Sequence, residues 1–112
     1  MAAAWRATVR RRGAVEKTSH ATLEGALGAL EARLDELAAE LPRSPERGLG
    51  HEYAPAEIVG LRGVVRGPGG RRGGVDVHGD RSTTPWTGRL RRTAVDVERG
   101  ETAYEALARA LG

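Results

Sequence analysis

Asp76, His78 and Asp80 stand two residues apart in VDVHGD, and on an extended strand that spacing turns all three side chains to one face. An imidazole between two carboxylates can hold a hard or borderline cation, or orient a general base. Gly79 would let a ligand approach closely. The plainer reading is a polar strand face whose carboxylates neutralise arginines such as Arg72 and Arg81. A metal centre needs more ligands, and His20, His51 and Glu52 are the remaining candidates. The sequence holds no H-E-x-x-H, no G-x-S-x-G and no carboxylate pair in a catalytic frame. Its glycine-rich stretch RGPGGRRGG lacks the Lys-Ser/Thr pair of a nucleotide-binding loop and leads into a strand. These features point to a non-enzymatic protein with no cofactor and no metal, the Asp76, His78 and Asp80 trio being its weak metal candidates.

The other chemistry on offer is guanidinium. The 112 residues contain 17 arginines, one lysine and 18 alanines, a ratio that GC-rich coding alone can produce. Placement is another matter, because codon bias does not segregate charge. Residues 1–17 carry five basic groups and one acid, and residues 61–92 carry eight arginines against Asp76 and Asp80. Residues 22–41 run the other way, with five acids against Arg33. If Trp5 and Val9 face a core, Arg6, Arg10 and Arg12 share the opposite strand face. Arg62, Arg66, Arg71 and Arg72 flank the glycine-rich turn, and Arg89, Arg91 and Arg92 crowd the start of a later strand. Such a face attracts phosphates electrostatically without reading sequence. GGRRGG adds a single RGG-type contact, and Trp86 beside a turn is a candidate for stacking on a base. The expected partner is RNA or the ribosome. The competing reading is a solvated face paired across strands with Glu57, Asp96 and Glu98.

The elements that must position these groups follow from periodicity. Trp5, Ala7 and Val9 alternate with Arg6, Thr8 and Arg10, the pattern of a half-buried strand. Thr18 to Thr22 supplies N-capping side chains. Leu23, Leu27, Leu30, Leu34, Leu37 and Leu41 then form a helical seam that Pro42 stops. Gly25 and Gly28 weaken its first turns unless they admit a strand. Residues 42–55 form a connecting loop, 57–66 a strand, 66–74 a glycine-rich turn, 75–80 a short strand and 86–98 a long one. Thr102-Ala103-Tyr104-Glu105 is a capping box opening a last helix. The order β-α-β-β-β-α predicts an α+β fold: one domain over 1–112, one mainly antiparallel sheet, and two helices packed on one face.

That order is similar to the ribosome hibernation-promoting factors, and its last four elements resemble double-stranded-RNA-binding domains. The turn carrying Gly100, Tyr104, Ala106 and Leu107 resembles that of the hibernation factors and also that of HicB-type antitoxins. The resemblance is one of architecture and assigns no site residue.

Leu, Ile and Val number only 21 and Phe is absent, a thin core that suggests help from a partner surface. A helix over 22–41 would be about 30 Å long, against about 17–20 Å for an ordinary strand. Either the whole seam packs on the chain's own sheet, as most amphipathic helices do, or Leu34, Leu37 and Leu41 overhang it and meet a second copy in a homodimer. The alternative function is a protein–protein interaction module (antitoxin, immunity factor or complex subunit) using this helix and an edge strand. No cysteine is present, which excludes disulfide scaffolds and thiolate metal sites. No apolar run approaches the ~20 residues of a membrane span, and the first residues lack a secretory apolar core. A cytoplasmic protein without membrane contact is expected.

Overall fold

A computed structural model describes residues 4–11, 13–40, 47–48, 51–52, 59–89 and 91–112. β1 (Trp5–Arg11) and β2 (Ala14–His20) form a hairpin that leads into α1 (Leu23–Ala38). β3 (Arg47–Gly48) and β4 (His51–Glu52) make a small separate ladder inside the expected 42–55 loop. β5 (Val59–Arg66), β6 (Arg72–His78), β7 (Thr83–Thr87) and β8 (Thr93–Ala94) follow as a meander, and α2 (Ala103–Leu111) closes the chain. The main sheet has the order β2-β1-β5-β6-β7-β8, antiparallel throughout. The α+β class, the antiparallel sheet and the two covering helices are as expected.

Two strand assignments differ from expectation. Residues 14–20, of which 18–20 were expected among the capping residues before α1, form the edge strand β2. Their sequence, AVEKTSH, is polar on both faces, and only pairing with β1 makes it a strand. The expected strand over 86–98 instead ends at Thr87, and Thr93–Ala94 pairs separately with it. Gly88 causes the break: its φ is +129°, and a Cβ there would lie 1.9 Å from the carbonyl oxygen of Arg91. The chain folds back on itself too tightly for any other residue.

One face of the sheet carries the core. Trp5, Ala7 and Val9 of β1, Leu61 and Val65 of β5, and Val75 and Val77 of β6 meet Leu27, Leu30, Leu34 and Leu37 of α1. Tyr104, Leu107 and Leu111 of α2 complete the cluster. Burying each such leucine contributes about 1.5–3 kcal/mol. At 16 residues α1 is about 24 Å long, and a strand of seven residues extends about as far. The described length of α1 therefore does not overhang. Leu34 is 0% and Leu37 3% exposed, both inside the chain's own core, so the own-sheet reading holds for these two and their expected homodimer contact is corrected. Leu41 lies outside the described residues.

Glycine lets the helices come close, but on the strands and not on the helix. A Cβ on Gly63 would sit 2.6 Å from Leu30 Cδ1 and 2.9 Å from Leu34 Cδ1, and a Cβ on Gly73 2.8 Å from Leu107 Cδ1. Gly28 of α1, by contrast, has nothing within 4 Å.

The helix ends are satisfied. Thr22 Oγ1 accepts the N–H of Gly25 at 3.0 Å, and the expected capping box forms between Thr102 and Glu105. At the other end of α1, Arg81 donates to the carbonyls of Ala38 and Ala39 at 3.1 and 3.4 Å. A cation there complements the helix dipole. No helix among the described residues is long and apolar enough to cross a membrane.

Two outcomes are expected in denaturation experiments. Gly28→Ala should stabilise the protein by about 1 kcal/mol, whereas Gly63→Ala should destabilise it by about 1–3 kcal/mol through overpacking. Tyr104 gives the second. Burial, then Asp35 and Glu31, push its phenol well above its ordinary value. The unfolded chain therefore releases this proton first, so stability is complete below about pH 10 and falls above it. Tyr104→Phe should remove that part of the alkaline loss, as read from unfolding midpoints between pH 8 and 11.

Candidate functional site

The face of the sheet away from the helices is organised in rows. Register places Arg6 of β1 opposite Arg66 of β5, and Arg66 opposite Arg72 of β6. Three guanidinium side chains thus stand side by side on adjacent strands, with Cβ separations of about 4.5–5.5 Å between direct partners. Two residues along, Thr8, Val64 and Gly74 form a neutral row, flanked on β2 by Lys17. The next row runs Arg10, Arg62, Asp76. Like charges directly opposite are destabilising, so the first row is a place where local preference is overruled.

Only the last row contains an acid, and it is occupied. Asp76 accepts from Arg62 Nε at 2.9 Å and from Trp86 Nε1 at 3.2 Å. Among the described residues, no carboxylate lies within ion-pair distance of Arg6, Arg10, Arg66, Arg71 or Arg72. Elsewhere charges do pair: Arg33 with Glu16 and Glu36, and Arg109 with Glu98 and Glu101.

Arg72 is the fixed member of the row. Its Nη1 donates to the carbonyl of Gly88 at 3.0 Å, and its Cζ lies 5.0 Å from the centre of the Trp86 ring. Arg92 lies over the same ring at 4.6 Å. The indole in turn rests on Gly74, where a Cβ would be 2.5 Å from Cζ2. Burial first, then Arg66, Arg92, Arg10 and Arg62, lower the pKa of Arg72. A guanidinium stays charged through any such shift at neutral pH, so among the described residues the row holds positive charge with no acid to neutralise it.

Two recesses open on this surface. The larger, about 550 Å³, has Thr8 and Val64 beneath it and Arg6, Arg10, Lys17, Ser19, Arg66 and Arg72 around it. The smaller, about 340 Å³, lies over the glycine-rich turn among Arg66, Arg71, Arg72 and Arg89. That turn is shorter than expected, since Gly73 and Gly74 belong to β6 and only Pro68–Gly70 form a helical turn.

Of the expected contacts, Arg6, Arg10, Arg66, Arg71, Arg72 and Arg89 line one or both recesses. Arg62 is on the same face but is held by Asp76. Arg91 lines neither recess, and Arg12 lies outside the described residues. Trp86 is corrected from a stacking platform to a buried support: it is 3% exposed, beneath two arginines. Lys17 and Ser19 join the site without having been foreseen, because β2 carries no apolar alternation by which to recognise it.

The Asp76, His78 and Asp80 trio does not form a metal site. Asp76 is occupied as above, and His78 Nε2 is 2.8 Å from Thr84 Oγ1. Asp80 has left the strand and accepts the N–H of Ser82 at 2.9 Å. The Ser82 hydroxyl first, and then that backbone contact, hold its carboxyl below the usual range. Among the described residues no three metal-binding side chains gather. Comparison with protein families, curated proteins and solved structures finds no match for this chain.

Asp76→Ala should cost about 1–3 kcal/mol by stripping the Arg62 and Trp86 donors of their acceptor. It should also shift the Trp86 fluorescence, which thermal unfolding followed by tryptophan emission measures alongside stability.

Proposed function

We propose that this chain is a small binding module whose open sheet face takes a phosphate-rich polymer, RNA or the RNA surface of the ribosome. The observation that carries this reading is the Arg6–Arg66–Arg72 row. It sets like charges on directly opposed positions of three strands, and no acid among the described residues relieves it. Repulsion of that kind is destabilising in the free protein and becomes favourable once phosphates release their counterions to it. Violations of local preference of this sort are expected at functional sites. The contacts are to backbone phosphates, which position a ligand without reading its sequence.

A second reading, a protein–protein module, keeps one support. β2 is an edge strand, and its Val15 is 54% exposed. An exposed edge can add a strand from a partner or from a second copy. Leu27, Leu30, Leu34 and Leu37 of the seam do not support this reading, being buried.

Fluorescence anisotropy with labelled RNA across about 50–200 mM salt separates the two. The polyanion reading expects affinity to fall steeply with salt. Arg6→Ala and Arg66→Ala should each reduce the slope of log K against log salt by about 0.7–0.9. Absence of salt-dependent binding overturns it and favours the edge strand.

A further inference from the structure

The two recesses are contiguous: both are bounded by Arg66, Gly67 and Arg72. Gly67 is one of the residues common to both linings and must lack a side chain, because a Cβ there would lie 2.5 Å from the Trp5 ring. Resting on the RNA-binding reading, we infer that the ligand is single-stranded. One nucleotide lodges in the larger recess, and the following phosphate passes Gly67 to Arg71 and Arg89.

The argument is one of shape and charge together. A recess of about 550 Å³ has the size of pockets that hold an organic group (~300–1,000 Å³), far more room than a phosphate needs. A double helix keeps its bases inside and presents phosphates on a convex surface, so it would span the mouth and leave the floor empty. A single strand can splay a base out and down into a concavity. The floor suits such a group: Thr8 and Val64 offer a neutral patch below a rim of cations.

The smaller recess supplies what one nucleotide would leave over. Arg89 lies on the turn, its Cζ 2.6 Å from the point where a Gly70 Cβ would be. Arg72, fastened to the Gly88 carbonyl and the Trp86 ring, stands between the recesses and is preorganised to bridge successive phosphates. Both tryptophans are buried, Trp5 at 6% and Trp86 at 3% exposed. A lodged base is therefore met by guanidinium planes and the Thr8 and Ser19 hydroxyls, which tolerate any base.

The test compares a labelled RNA dodecamer, its duplex with the complementary strand, and inorganic polyphosphate as competitor. Arg71→Ala/Arg89→Ala, whose side chains are on the surface, serves as the variant, with circular dichroism to confirm its fold. The single strand should bind at least about tenfold more tightly than the duplex, and the double variant should weaken it about tenfold. Polyphosphate at equal phosphate concentration should displace it poorly. Equal or tighter duplex binding overturns the inference while leaving the RNA reading intact, as does a double variant with unchanged affinity and salt slope. Efficient displacement by polyphosphate overturns it too, since phosphates alone would then account for binding. Failure of every nucleic acid to bind in a salt-dependent way removes the underlying reading as well.

Discussion

One sheet has to do opposite things on its two sides. On the side of α1 and α2 it must exclude water, and on the other it must hold Arg6, Arg66 and Arg72 abreast on neighbouring strands. The repulsion in that row pushes β1, β5 and β6 apart, and the leucines of α1 and α2 oppose it from behind. With 21 aliphatic residues of the Leu, Ile and Val types, the core has little to spare. The glycines at 63 and 73 follow from this. They draw Leu30, Leu34 and Leu107 down to the backbone, so that a small set of side chains covers the sheet without gaps.

The open face solves a second problem with the same device. Trp86 is a large apolar group on the side that faces water, and it is buried by lying flat on Gly74 while arginines cover it. Its indole N–H finds Asp76, which also neutralises Arg62. The acid is therefore spent on a structural pair at the β6–β7 side, and the row nearest the Gly67 turn is left positive. Cation–π contacts hold the Arg72 and Arg92 charges in place without cancelling them, as a carboxylate would.

Features set by a few neighbouring residues were legible from the chain alone. The Thr102–Glu105 box needs only four residues to be recognised, and the leucine spacing of α1 is periodic enough to name its apolar face, though not to say whether its distal turns meet the sheet or a second molecule. The alternation in β1 likewise assigned Arg6 and Arg10 to the outer face. What escaped notice depends on pairing. β2 is polar on both sides and becomes a strand through β1 alone, which hid Lys17 and Ser19. Gly88 looks like any glycine within a strand until Arg91 folds back against it. The charged row itself depends on register, since nothing in the order of residues says that position 6 faces 66, or that 66 faces 72. The fate of Trp86 turned on Gly74, twelve residues away and directly across the ladder.

The acids of α1 have a consequence for how the molecule travels. Glu24, Asp35 and Glu36 are exposed on the helix that covers the back of the sheet, Glu36 being paired with Arg33, while the front row of Arg6, Arg66 and Arg72 has no carboxylate partner among the described residues. Among the described residues, acids and unneutralised arginines therefore lie on opposite sides of the sheet. On the proposed polyanion reading, that asymmetry would turn the molecule before contact, arginine side first.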